Sequence, residues 1–261
     1  HAETRLPDLR GSQRPAVRYG RGSPVAGTAL SLPVAINKSG RLRMLSQRGA
    51  KAWLLLVQGV LPDRSKSILA QSLASFEQIL GELKTLQPGD DIRSLAQALD
   101  QEWRAYRPLL ADVRADPKAV WSHSEAVLAA AQALTVAYEK AAGTSSGKLV
   151  NLSGRQRMLS QRMAKAYLFR QMGINAAEAG SMLDTAMKEF AKAHDDLKAA
   201  PQSTAQIKSE LALVEQQWFF FQNALQLRAA TDRVKAASDV GTTSERILEQ
   251  MDLVVGLYER L

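Results

Sequence analysis

Two stretches of this chain are near copies of one another. Asn37-Lys-Ser-Gly-Arg-Leu-Arg-Met-Leu-Ser-Gln-Arg-Gly-Ala-Lys-Ala-Trp-Leu54 matches Asn151-Leu-Ser-Gly-Arg-Gln-Arg-Met-Leu-Ser-Gln-Arg-Met-Ala-Lys-Ala-Tyr-Leu168 at 14 of 18 positions, offset by 114. A repeat of this kind constrains the fold strongly, because one structural unit is used twice and the two uses must pack together. The same offset pairs Gly59 with Gly173, Phe76 with Phe190 and Leu83-Lys84 with Leu197-Lys198. Farther on, Gln101-Glu-Trp103 answers Gln216-Gln-Trp218 and Tyr138-Glu-Lys140 answers Tyr258-Glu-Arg260, the offset growing to 120. Duplication spans nearly everything after residue 33.

Within each copy the apolar periodicity is helical, and proline, glycine and capping residues divide it into four segments. No strand pattern is present. In the first copy the helices are expected from about Val34 to Val60, after Asp63 to about Leu86, from an N-cap at Asp90 or Asp91 onward through Pro108, and from Asp116-Pro117 to Gly143. Asp116 then serves as N-cap with proline at the first helical position, and Pro108 should kink its helix. In the second copy Asn175 to Glu178 reads as a capping box, Pro201 to Ser203 breaks before the third helix, and the fourth starts near Thr231. Long helices joined by short turns make antiparallel neighbours. The expected fold is therefore all-α: two tandem antiparallel four-helix bundles, over 34–143 and 148–261, related by a pseudo-twofold, after a basic irregular segment over 1–33. The short connector Gly143 to Gly147 keeps both repeated helices at one pole, so they run parallel.

The repeated helix has two faces. At 100° per residue, Leu42, Leu45, Gly49, Ala52, Trp53, Leu56 and Val60 form the arc for its own core. A second stripe lies opposite, made of Ile36, Gly40, Arg43, Gln47, Ala50 and Leu54, with Val150, Gly154, Arg157, Gln161, Ala164 and Leu168 as its counterpart. Small and apolar residues there point to contact with another helix, and the two stripes are expected to meet. Arg43 and Arg157 then approach across a buried seam, which is unfavourable unless something negative lies between them. Two guanidinium forks suit a small planar oxyanion, with Gly40 and Gly154 giving it access to the backbone. The competing readings pair these arginines with carboxylates of other helices, or press the seam against a second molecule. Gln47 and Gln161 could support the site. Lys51 and Lys165 lie at the stripe's edge, where they either add positive potential or carry their ammonium groups to water; the second is the expectation. Arg41, Arg48, Arg155 and Arg162 read as solvated or salt-bridged, and Ser46 and Ser160 as packing or back-bonding hydroxyls.

Other chemistries find no support. The chain has no cysteine, so disulfides and thiolate metal sites are excluded. His123 and His194 are not equivalent in the two copies, and no Glu-x-x-His pair supplies a di-metal centre. Met44, Met158, Trp103 and Trp218 read as bundle filling. No nucleophile, base and orienting group come together, so the chain reads as a non-enzyme without cofactor or metal. The net charge of +8 owes about +3 to the first 21 residues, and no run interleaves lysines with aromatics, so nucleic acid is not an expected partner. No apolar run reaches the roughly 20 residues of a membrane span. The chain opens at His1 without a charged-then-apolar leader, which fits a mature exported protein as well as a shortened one.

The motif Asn-x-Ser-Gly-Arg-x-Arg-Met-Leu-Ser-Gln-Arg, present twice, strongly resembles the opening helix of the PilJ-type sensor domain, named for the N-terminal region of a type IV pilus chemotaxis transducer. It also resembles the P-box of nitrate/nitrite sensor histidine kinases of the NarX and NarQ kind. The resemblance implies a periplasmic, all-helical module holding one nitrate or nitrite at a twofold seam by the P-box arginine and the glycine before it. Here those residues are Arg43 with Gly40 and Arg157 with Gly154, and one chain supplies both halves. Receptors of this kind flank the module with membrane helices and kinase or methyl-accepting segments, which this sequence lacks. The function expected is therefore a periplasmic nitrate/nitrite-binding sensor protein serving a membrane sensor kinase or chemoreceptor. The alternative is a ligand-free helical adaptor docking such a partner.

Overall fold

The computed structural model describes residues 31–86, 89–226 and 232–261, and among them the chain forms eight helices and no strand. These are α1 (Leu32–Val57), α2 (Pro62–Thr85), α3 (Asp90–Leu110), α4 (Pro117–Ala142), α5 (Ser145–Gln171), α6 (Ala176–Ala199), α7 (Ala205–Gln226) and α8 (Arg233–Glu259). The all-helical expectation holds. Of the irregular segment read over 1–33, residues 1–30 lie outside the described residues, and α1 takes the last two, Leu32 and Pro33. Thr231 also lies outside them.

The helix ends follow local chemistry. Asp116 caps α4 by accepting from the Lys118 N–H at 3.1 Å, and Pro117 fills the first helical position. Gly143, at φ 61°, ends α4 in the left-handed region, and Thr144 at once caps α5 by accepting from the Gly147 N–H at 3.0 Å. The link between the copies is thus Gly143 and Thr144 alone. Pro108 lies in the last turn of α3, which stops two residues later, and Gly89 rather than an aspartate takes the N-cap position, leaving Asp90 and Asp91 in the first turn where the helix dipole favours them.

The turns after α1 and α5 are copies down to the backbone. Gly59 and Gly173 have φ 68° and 73°, and the N–H groups of Val60 and Ile174 reach back five residues to the carbonyls of Leu55 and Phe169. Leu61 and Asn175 then follow, both left-handed, at φ 46° and 47°. The capping box read at Asn175 is therefore not formed: the left-handed backbone turns its side chain away from the helix N-terminus, and it makes no capping hydrogen bond. Asparagine accepts this conformation readily; leucine does so at a cost of roughly 1–2 kcal/mol. Leu61→Asn is accordingly expected to stabilise the protein by about 1 kcal/mol, seen as a rise of roughly 3 °C in thermal unfolding; a lower Tm would contradict this.

Packing places α1 and α5 at the centre. Helix α1 packs on α2, α4 and α5, helix α5 on α6, α8 and α1, while α3 lies on α4 and α7 on α8. Each copy closes its outer half with aromatics, Phe76 of α2 stacking on Trp103 of α3 at 3.8 Å and Phe190 of α6 against Trp218 of α7 at 4.5 Å. Where the copies meet, α1 also touches α8 and α5 touches α4. The two repeated helices are therefore wrapped by neighbours on nearly every side, which is why Arg43, Gln47 and Lys51 of α1 and Arg157, Gln161 and Lys165 of α5 are all fully buried.

Candidate functional site

At spacings of four residues, Arg43, Gln47 and Lys51 form a single polar stripe on α1. Its counterpart on α5 is Arg157, Gln161 and Lys165, and contacts such as Arg162 Nη1 to Gln47 Oε1, at 3.4 Å, show that the two helices run parallel and in register. The stripes meet, as their composition predicts. Each arginine side chain turns back toward its helix N-terminus, Nε donating to the carbonyl three residues earlier: Arg43 to Gly40 and Arg157 to Gly154, both at 3.5 Å. The glycines make this possible. A Cβ on Gly40 would lie 2.8 Å from Nη2 of Arg43, and one on Gly154 would lie 3.1 Å from Nη2 of Arg157 and 3.5 Å from Nη2 of Arg43. The bare glycine faces thus seat the guanidinium groups themselves, and both arginines converge over Gly154.

Of the remaining hydrogen bonds, those to Asn151 and Asn37 cross between the copies, and those to Gln132 and Asp252 stay within one. Arg43 Nη1 donates to Gln132 Oε1 and to Asn151 Oδ1, each at 2.7 Å, and Nη2 donates to the Asn151 carbonyl at 3.2 Å. Arg157 Nη2 donates to the Asn37 carbonyl at 3.2 Å, but its Nη1 donates to Asp252 Oδ1 at 2.8 Å. Gln132 and Asp252 are equivalent positions, 120 residues apart on α4 and α8. One arginine therefore has a carboxylate partner, as the competing reading supposed. The other has only neutral oxygens, and among the described residues no carboxylate pairs with it. Burial, then Arg155 and Arg157, push the Arg43 guanidinium down to about 9, so it keeps its proton at neutral pH. Burial also lowers Arg157, and Asp252 opposes that shift.

About 12 Å farther along the helices lies a second polar layer. Lys51 Nζ donates to Ser244 Oγ and Glu245 Oε2, both at 3.1 Å, and Arg48 Nη2 meets Glu245 Oε1 at 2.6 Å. In the mirror arrangement Lys165 Nζ donates to Ser124 Oγ at 3.1 Å and Glu125 Oε1 at 3.5 Å, while Arg162 Nη1 meets Glu125 Oε2 at 2.8 Å. The lysines do not reach water, contrary to the expectation. Their helices are enclosed on the side where the ammonium would have to emerge. Burial lowers Lys51 to about 8 and Lys165 to about 7, against the pull of Glu245 and Glu125. Gln47 and Gln161 lie between the layers and donate to Ser46 Oγ and Ser160 Oγ at 3.0 and 3.1 Å, and those hydroxyls bond back to the carbonyls of Arg43 and Arg157. Arg41 and Arg155 are salt-bridged, to Asp252 at 2.8 Å and to Glu189 at 2.6 Å.

The structure thus brings Gly40, Arg43, Gly154 and Arg157 together, places Gln47, Gln161, Lys51 and Lys165 deeper in the same seam, and adds Asn37, Asn151, Gln132 and Asp252, which the stripe on α1 could not reveal. A signal for the last two existed: extending the 120-residue offset from Tyr138 and Tyr258 backward aligns Gln132 with Asp252 and Ser124-Glu125 with Ser244-Glu245.

Among the described residues no cluster of three metal-ligating side chains occurs, and no helix is long and apolar enough to cross a membrane. The seam joins two copies of an all-helical module and buries a pair of cations from each. The family model described as the N-terminal region of the type IV pili methyl-accepting chemotaxis transducer, PilJ, matches residues 28–129 and again residues 141–252. The chain belongs to the PilJ family and carries its sensor region in tandem. No curated protein and no solved structure matches it.

Proposed function

We propose that the seam is a receptor site for one small oxyanion, nitrate or nitrite, and that the chain is a periplasmic sensor working for a membrane sensor kinase or chemoreceptor. One observation carries this reading: Arg43 is fully buried, charged and hydrogen-bonded to neutral oxygens alone, beside a second buried arginine. A buried cation without a counter-charge is strongly unfavourable, and a monovalent anion there gains charge-assisted hydrogen bonds in a low dielectric. The resemblance of the motif to the P-box of nitrate/nitrite kinases supports the choice of ligand.

Binding would displace Gln132 Oε1 and Asn151 Oδ1 from Nη1 of Arg43. Because these acceptors lie on α4 and α5, their release loosens two contacts on α1 at once, and a small shift at the seam biases the packing of the bundle. The test is calorimetric titration of protein freed of anions by dialysis. Nitrate or nitrite should bind while sulfate binds far more weakly, and at a hundredfold excess over Kd the ligand should add about 2.7 kcal/mol of stability. Silence with nitrate and nitrite alike overturns the reading.

The Arg157–Asp252 pair favours a second reading, in which the seam is held closed by its own side chains and the chain is an adaptor. In that case anions leave Tm unchanged, and Arg43→Ala weakens binding of the partner instead.

A further inference from the structure

The two halves of the seam carry the same charges in different places. In the second half, Asp252 accepts from the buried Arg157 and from the peripheral Arg41, both at 2.8 Å. In the first half, Gln132 accepts from the equivalent pair, from the buried Arg43 at 2.7 Å and from the peripheral Arg155 at 3.3 Å. The donors and their arrangement match, and only the acceptor's charge differs. The missing carboxylate of the first half has not vanished. Glu189 on α6 pairs with Arg155 at 2.6 Å, at a position where the first copy has Ser75. In each half one carboxylate meets an arginine directly, but in the first half it meets the outer guanidinium, and the inner one feels Glu189 and Glu139 only at longer range.

We propose that Asp252 is a resident anion, standing permanently where a ligand would bind the second half, so that the duplicated chain has one open half-site, at Arg43, Gln132 and Asn151, and one closed. This rests on the anion-receptor reading above and specifies it. The receptor takes a single monovalent anion, because Asp252 already meets the buried Arg157 and only one buried guanidinium, that of Arg43, is left without a carboxylate partner. Asp252 is 41% exposed at its side chain, so it can reach the fully buried Arg157 and still be solvated on its outer edge.

Three variants of the full chain test this, each titrated with nitrate by calorimetry and checked for helical content by circular dichroism. Gln132→Asp should abolish nitrate binding, weakening it at least a hundredfold, and should raise the Tm of the anion-free protein toward that of nitrate-saturated wild type. Asp252→Gln should open the second half, so that nitrate binds at least tenfold tighter and sulfate, weak with the wild type, becomes a ligand. The exchange variant Gln132→Asp with Asp252→Gln keeps the net charge and should bind nitrate as the wild type does, now at Arg157. If the wild type binds nitrate while Gln132→Asp still binds it normally, or Asp252→Gln changes neither affinity nor the response to sulfate, Asp252 is no resident anion although the receptor stands. If the wild type takes neither nitrate nor nitrite, the receptor reading falls, and this inference with it.

Discussion

Glu245→Ala is expected to lower stability by about 3–5 kcal/mol, because it strips the carboxylate from a fully buried ammonium. Glu245 is 4% exposed and holds Lys51 and Arg48 together, so its loss leaves Lys51 with only the Ser244 hydroxyl. In a chain of this length the change corresponds to a Tm lower by roughly 10 °C. Glu125→Ala should cost less: its carboxylate is more exposed, and Lys165, which burial already lowers to about 7, sheds its proton more easily. The same carboxylate governs acid stability. Burial alone would raise Glu245, but Lys51 and Arg48 pull it from 4.5 down to about 2. A carboxylate lowered in the folded state stabilises above its unfolded value and ceases to as the pH falls through its folded one, so roughly 3 kcal/mol should disappear between about pH 4.5 and 2. Urea unfolding of wild type and Glu245→Gln at pH 7 and pH 3 measures it. Equal losses in the two proteins would show that Glu245 is not the group responsible.

The second large effect is on the ligand response. Arg43→Met should remove the nitrate-dependent rise in Tm altogether while changing the stability of the anion-free protein by no more than about 1–2 kcal/mol. Methionine fills much of the same space. It loses four hydrogen bonds but also removes a buried charge that has no counter-ion, and these effects oppose one another. Arg157→Met should keep a weakened response, because Asp252 retains Arg41 as its partner. A full nitrate response in Arg43→Met contradicts the site. Equal loss at both arginines indicates a symmetric clamp.

Much of this architecture could be read from the chain. Helices show through their 3.6-residue periodicity, and the pairing of α1 with α5 follows from a stripe of Gly40, Arg43, Gln47 and Ala50 that no solvated face would carry. Two features do not show in the sequence pattern. Partners on other helices, such as Gln132 and Asp252, cannot be located by the angular position of residues on α1, because that position says which way a side chain points and not what it meets. The lysines illustrate the second. A long side chain at the edge of a stripe usually reaches water, but α8 and α4 close that edge over Lys51 and Lys165, and each brings a glutamate. At Asn175 the local pattern was right for a capping box, but the preceding Gly173 turn sets a left-handed backbone that overrides it.

The crossed pairing in the deeper layer has a consequence for how the chain comes apart. Lys51 and Arg48, in the first copy, find their carboxylate on α8 of the second, while Lys165 and Arg162 find theirs on α4 of the first. In this layer neither copy owns the counter-charge for its own buried lysine. A half that opened alone would strand ammonium groups inside its neighbour, so partial unfolding is penalised on both sides at once. The duplication therefore fuses two modules into one cooperative unit, and a disturbance that begins at either half is felt by the whole molecule.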